Sequence, residues 1–110
     1  MKIICPFYQA FIYIYIGVKY DFCVKDLKRQ KITNDYILES GKDGLCLRLS
    51  NGSIVIWTRK RDMFVIAHEC LHGAQHILER AGIYMSYETR EVYAYYFEWL
   101  FKLCMGKRRL

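Results

Sequence analysis

Between Met63 and Ala81 the chain carries one continuous helical pattern, and inside it stand the residues H-E-C-L-H at 68–72. With His68 at zero and 100° per residue, Gln75, His68, Glu79, His72, His76, Glu69 and Arg80 fall in one arc. Met63, Phe64, Ile66, Ala67, Cys70, Leu71, Ala74, Ile77, Leu78 and Ala81 fill the rest. A helix apolar over more than half its circumference is expected to be largely buried, and a buried histidine or glutamate then needs a partner or a metal. Two histidines four apart lie about 40° apart on the wheel, one turn above the other, so their imidazoles can converge on one ion. Glu69, between them, is placed to hold the water that completes a zinc coordination sphere. A lone histidine on a helix is more often a hydrogen-bonded core residue. Three on one stripe, with a glutamate, favour a metal.

A chain of 110 residues with 54% hydrophobic content is expected to form one domain, spanning 1–110, with a real core. Lysines and arginines number 17 against 11 acids, a formal charge of +6. The excess is local: Lys25 to Lys31 reads KDLKRQK, 59–61 reads RKR, and the chain ends KRRL. Such runs usually line solvated surface, so nucleic-acid contact is a minor expectation. The five cysteines, Cys5, Cys23, Cys46, Cys70 and Cys104, show no C-x-x-C spacing and sit among apolar neighbours. They read as reduced core thiols, Cys70 among them as packing, and point to a cytoplasmic protein. Lys2 and the apolar run after it lack an A-x-A-like cleavage site and are too short to span a bilayer.

Residues 11–16, FIYIYI, alternate aliphatic and aromatic side chains and predict a strand. Gly17 bends the chain before Val18–Phe22, which alternates apolar and polar and reads as further strand. The polar stretch 24–44 holds a short element around Ile37 and Leu38. Leu45–Leu49 and Ser53–Trp57 flank Ser50-Asn51-Gly52, a strong hairpin signal because Asn and Gly tolerate positive φ. Asp62 is a natural N-cap for the helix from Met63, and Gly82 fits its left-handed C′ position. A second helix is predicted from about Tyr87 to Met105, with Ser86 as N-cap and Gly106 as stop. Tyr87, Glu88, Glu91, Tyr95, Glu98 and Lys102 gather on one stripe of that helix, within an otherwise apolar circumference. The expected fold is α+β: a small, mainly antiparallel sheet from the N-terminal half, packed on two C-terminal helices with zinc between them.

A catalytic zinc takes three protein ligands and keeps one position for water. His68 and His72 supply two. His76 lies eight residues from His68, roughly 12 Å along the axis, too far to share the ion. Gln75 and Leu78 stand where the extended metzincin motif wants Gly and His. The third ligand is therefore expected from Glu88, Glu91 or Glu98. A tight antiparallel hairpin of helices brings Glu98 nearest the pair, whereas crossing helices bring Glu91.

VIAHECLHGAQHILERAGI followed by ETREVYAYYFEWL resembles the small HExxH proteins encoded by phages and prophages. It is also similar to the gluzincins, including minimal gluzincins and the peptidases that cleave phage immunity repressors. The resemblance covers residues 54–101, just under half the chain. In those families a Glu opening an E-x-x-A turn on the next helix is the third ligand, and the matching residues are Glu91-Val92-Tyr93-Ala94. The resemblance thus implies one zinc ion on His68, His72 and Glu91, with Glu98 as the fallback. Glu88 and Glu79 would then support the ligands from outside.

The implied reaction is metal-assisted hydrolysis of a peptide or protein substrate, with Glu69 as general base. Tyr95 and His76 are candidates for stabilising the oxyanion, although a tyrosine in a Tyr-rich helix is usually core and His76 can simply pair with Glu79. Ile54, Val55 and Ile56, leading into the helix, resemble the edge strand on which gluzincins lay an extended peptide. Two rival readings are a zinc-stabilised phage binding or inhibitor module, and a basic nucleic-acid-associated protein.

Overall fold

Two strands rich in β-branched and aromatic residues run side by side through the middle of the fold. The computed structural model describes residues 2–4, 10–32 and 43–106. Strand β1 (Lys2–Ile4) pairs antiparallel with β2 (Phe11–Ile16), which pairs in parallel with β4 (Ile54–Thr58). Strand β3 (Gly44–Arg48) closes the far edge, antiparallel to β4, giving the order β1-β2-β4-β3. The sheet is therefore mixed, with a parallel pair flanked by two antiparallel ones. Cys5 and the stretch around Ile37 and Leu38 lie outside the described residues.

Period-two alternation assigns the two faces. Ile12, Ile14, Ile16, Ile54 and Ile56 point into one cluster with Ile66, Cys70, Ala74, Ile77, Leu78 and Leu100. Tyr13, Tyr15, Val55 and Trp57 point into the other, with Cys23 and Leu27. Burial on both faces is what a parallel pair requires, and it explains why FIYIYI holds no charge.

Helix α1 (Tyr20–Arg29) covers the second face and replaces the further strand expected over Val18–Phe22. Its buried residues, Cys23 and Leu27, repeat at helical spacing, which a five-residue window of alternation conceals. Asp21 in the first turn and Lys28 and Arg29 in the last suit the helix dipole. Gly17, at φ 73°, turns the chain out of β2 as expected. Trp57 Nε1 then donates to the Val18 carbonyl at 2.7 Å, fixing the approach to α1.

Tyr15 ties α1 to the sheet. Its hydroxyl donates to Asp26 Oδ2 at 2.6 Å, Gln30 Nε2 donates to the same oxygen at 2.8 Å, and Arg29 donates to Oδ1. The Tyr15 bond, more than the burial that opposes it, holds the Asp26 carboxyl below its usual range. Burial first, and then that same bond, push the Tyr15 phenol above its ordinary 10.0. A lowered carboxyl stabilises the fold above its unfolded pKa, and that stability is lost as pH falls through the folded value. A raised phenol acts the other way: its contribution is complete below about pH 10 and is lost above it. Urea midpoints of Tyr15→Phe against pH are expected to show a shallower acid limb and a weaker alkaline loss than the parent.

The hairpin forms where expected. Leu49 N donates to Ser53 O at 2.8 Å and Gly52 N to Leu49 O at 3.0 Å, enclosing Ser50-Asn51-Gly52. Gly52 alone takes positive φ, at 89°, so the turn is a three-residue loop with a bulge at glycine. Asn51 contributes through its side chain, whose Oδ1 accepts from Ser53 N at 2.9 Å.

Helix α2 (Met63–Arg80) begins where Asp62 accepts from the Phe64 and Val65 amides. It ends with Ile83 N bonded to Leu78 O and Gly82 N to Glu79 O, with Gly82 at φ 84°. Helix α3 (Arg90–Gly106) starts three residues later than the Ser86 signal suggests. Ser86 Oγ accepts from Thr89 N and Thr89 Oγ1 accepts from Ser86 N, a reciprocal box around a separate turn at 87–89. Both helices pack on the isoleucine face of the sheet, so the α+β expectation stands.

Candidate active site

Helix α2 meets the core through Ile66, Cys70, Gly73, Ala74, Ile77 and Leu78. His68 and His72 are exposed, contrary to the buried stripe expected from the wheel. The apolar circumference misleads because Met63, Phe64 and Leu71 face outward too, Phe64 with 79% of its surface exposed. The imidazoles nevertheless lie together, centroids 4.8 Å apart at 79°. His72 Nδ1 is 3.3 Å from Gln75 Oε1. An N–H donated there leaves the Nε2 lone pair for a ligand.

Glu69 is the buried member of the motif, at 7% exposure. Its side chain lies over Gly44, at the start of β3. A Cβ on Gly44 would fall 2.7 Å from Val65 Cγ1 and 3.1 Å from both Cγ and Oε2 of Glu69. Gly44 therefore makes the room that this carboxylate occupies, a role hidden at the end of the polar stretch 24–44. Asp43, Gly44, Phe64, Val65, His68 and Glu69 line an open cleft of about 420 Å³. Burial, then the charges of Glu69 and Cys104, push the Cys46 thiol up, so Cys46 is an inert neighbour of the carboxylate. Cys23, Cys70 and Cys104 are likewise free thiols buried in packing. Gly44→Ala is expected to lower stability by about 1–3 kcal/mol, as an overpacked contact does. Chemical denaturation of Gly44→Ala against Gly44→Ala/Val65→Ala checks this, because the second change removes the closest clash.

The acids of the last helix do not join the histidines. Glu88, in the turn before α3, and Glu91 and Glu98 are all exposed, and Glu98 Oε1 is 3.9 Å from Lys102 Nζ. The helices run antiparallel, with Cys70 Sγ 3.6 Å from Cys104 Sγ and Gly73 against Leu100. Glu91 precedes Leu100 by nine residues, so it stands about 13 Å along the axis from that level. Glu98 has nearly the right height but the wrong side. His72 lies within about 60° of Val65 and Glu69, which touch β3, and about 160° from Cys70, which touches α3. The pair thus sits where α2 meets β3, across α2 from the other helix, and not between two helices. Among the described residues, no three of His, Cys, Asp and Glu converge as a metal-holding group.

Tyr95, 68% exposed, stands on α3, the helix across α2 from the pair. His76 is half-buried one turn beyond His72. Its pKa is held down by burial first, then by Arg48 and His72, with Glu79 opposing. Glu79 is exposed and acts on His76. Ile54, Val55 and Ile56 are not on an edge: β4 is hydrogen-bonded to β2 on one side and β3 on the other, and all three are buried. Among the described residues, the edge strand beside the histidines is β3. No described helix is long and apolar enough to cross a membrane. Compared with protein-family profiles, curated proteins and solved structures, the chain matches none.

Proposed function

We propose that this chain is a zinc-dependent hydrolase of peptide bonds, with His68 and His72 as two of the ion's ligands and Glu69 as the general base. The observation that carries the reading is a paired set of exposed imidazoles, 4.8 Å apart, beside a buried carboxylate at the mouth of an open cleft. A zinc ion held there would supply Lewis-acid chemistry for water and a carbonyl. Glu69, seated on Gly44, takes a proton in attack and returns it to the leaving amine. Gln75 orients His72 through its ring nitrogen. Among the described residues β3 is an edge strand, and an extended peptide could join it next to these groups.

The rival reading, zinc as a pin between the two C-terminal helices, needs ligands from both, and the described acids of α3 face solvent. The nucleic-acid reading rests on the basic runs at 25–31, 59–61 and 107–110, the last outside the described residues, and no specific observation favours it over the histidine site.

The test is chelator-sensitive cleavage of an extended peptide mixture by the zinc-loaded chain. His72→Ala is expected to weaken zinc binding by more than about 100-fold, since a direct ligand matters at least as much as its supports. It should leave the metal-free fold at its parent stability, because the side chain is exposed. Zinc titration and thermal melts read the two effects separately.

A further inference from the structure

Cross-strand partners share a face, so Gly44, Cys46 and Arg48, opposite Thr58, Ile56 and Ile54, all lie on the α2 side of β3. The edge strand and α2 run in the same direction. Gly44 meets Val65 and Glu69 near the start of the helix, and Arg48 lies about 13 Å further along the strand. That distance on α2 reaches His76, roughly 11 Å beyond Glu69. Arg48 and His72 both act electrostatically on His76, in agreement with that placement. His68 and His72 stand between the two ends of this α2–β3 junction. Asp43 and the exposed ring of Phe64 line the cleft at one end, and Arg48 and His76 stand at the other, beyond the lining of that cleft.

We propose that this junction is polarised for substrate, and that Arg48 selects an acidic side chain two or three residues from the bond lying over His68 and His72. The proposal rests on the hydrolase reading and adds a substrate class to it. A guanidinium binds a carboxylate through two parallel hydrogen bonds, which a neutral or cationic side chain cannot replace. Glu79 also acts on His76 from the same helix, and the forked donor at this end of the junction is Arg48. Asp43 repels an acid at the opposite end and fixes the polarity. A peptide added antiparallel to β3 enters at Arg48 and leaves at Gly44, which puts the acidic residue on the N-terminal side of the bond.

The experiment uses the zinc-loaded Glu69→Gln chain, which holds substrate without turning it over. Two pools of fluorescent extended peptides, identical except for one fixed Glu or one fixed Lys, are titrated by fluorescence polarisation. The Glu pool is expected to bind about tenfold more tightly, a difference typical of one charge-assisted pair. Adding Arg48→Glu should reverse the order while zinc uptake is unchanged. Lys28→Glu, the same charge change on the far face of the sheet, should leave the order intact. Equal binding of the pools, or an equal response to both charge changes, overturns the selectivity and leaves the hydrolase reading standing. Binding of neither pool overturns both.

Discussion

Replacing Glu69 with Gln is expected to lower peptide cleavage by about 10²–10⁴-fold, the contribution of a positioned general base. Zinc uptake should survive, because the imidazoles of His68 and His72 are untouched. The amide has nearly the shape of the carboxylate it replaces and fills the same space over Gly44, so the packing recorded by the 3.1 Å approach is retained. What disappears is the proton acceptor at the cleft. The measurement is the cleavage rate of the zinc-saturated variant beside its zinc titration. Cleavage at the parent rate would remove Glu69 from the chemistry, and loss of zinc together with cleavage would make it part of the ion's support.

The largest effect on stability is expected at Gly73. This residue sits in mid-helix, where glycine is otherwise unfavourable by about 1 kcal/mol against alanine. It is retained because α2, α3 and the sheet meet there. A Cβ would fall 2.9 Å from Leu100 Cδ2, 3.1 Å from Ile54 Cδ1 and 3.3 Å from Ile56 Cδ1, all on fully buried side chains. Gly73→Leu adds three carbons beyond that first clash and should destabilise by more than about 3 kcal/mol, the upper range for overpacking. That is a large fraction of the roughly 5–15 kcal/mol available to a domain. Leu100→Ala alone should destabilise by about 2–5 kcal/mol through the hole it leaves. Combined, the two changes should be less harmful than their sum by about 0.5–3 kcal/mol, since one fills what the other empties. Urea unfolding of the four proteins gives the coupling, and strict additivity would contradict the packing described.

Local signals carried most of the fold. The β-branched and aromatic run at 11–16, the Asn51-Gly52 hairpin, the Asp62 cap and the Gly82 stop are each decided by chemistry within a few residues, and each forms as expected. Helix α1 escaped notice because Val18–Phe22 also fits a period of two, and only Cys23 and Leu27, further on, break the tie. The parallel pairing of β2 with β4 joins residues about forty apart and has no local signature, so Ile54–Ile56 resembles an edge in sequence, whereas among the described residues β3 is the edge.

The site followed the same division. Convergence of His68 and His72 is fixed by helical spacing and was legible. Their exposure was not, because a wheel counts apolar residues without saying which of them a neighbour covers. Phe64, Met63 and Leu71 broaden the apolar arc yet face outward. The placement of Glu91 and Glu98 depends on which flank of α2 the last helix takes, and Cys70 and Gly73 decide that through tertiary contact with Cys104 and Leu100. Gly44 was hidden for a related reason: a glycine needed for close approach is indistinguishable, in sequence, from one needed for a turn.

On the proposed reading, the imidazoles of His68 and His72 together hold a divalent ion at the junction of α2 and β3. Zinc-edge X-ray absorption on the loaded chain tests it most directly. Two imidazole nitrogens per zinc, at about 2.0–2.1 Å and with oxygen completing the shell, are the predicted result, falling to one in His68→Ala and in His72→Ala. A shell of sulfur at about 2.3 Å, or an imidazole count unmoved by either substitution, would contradict it.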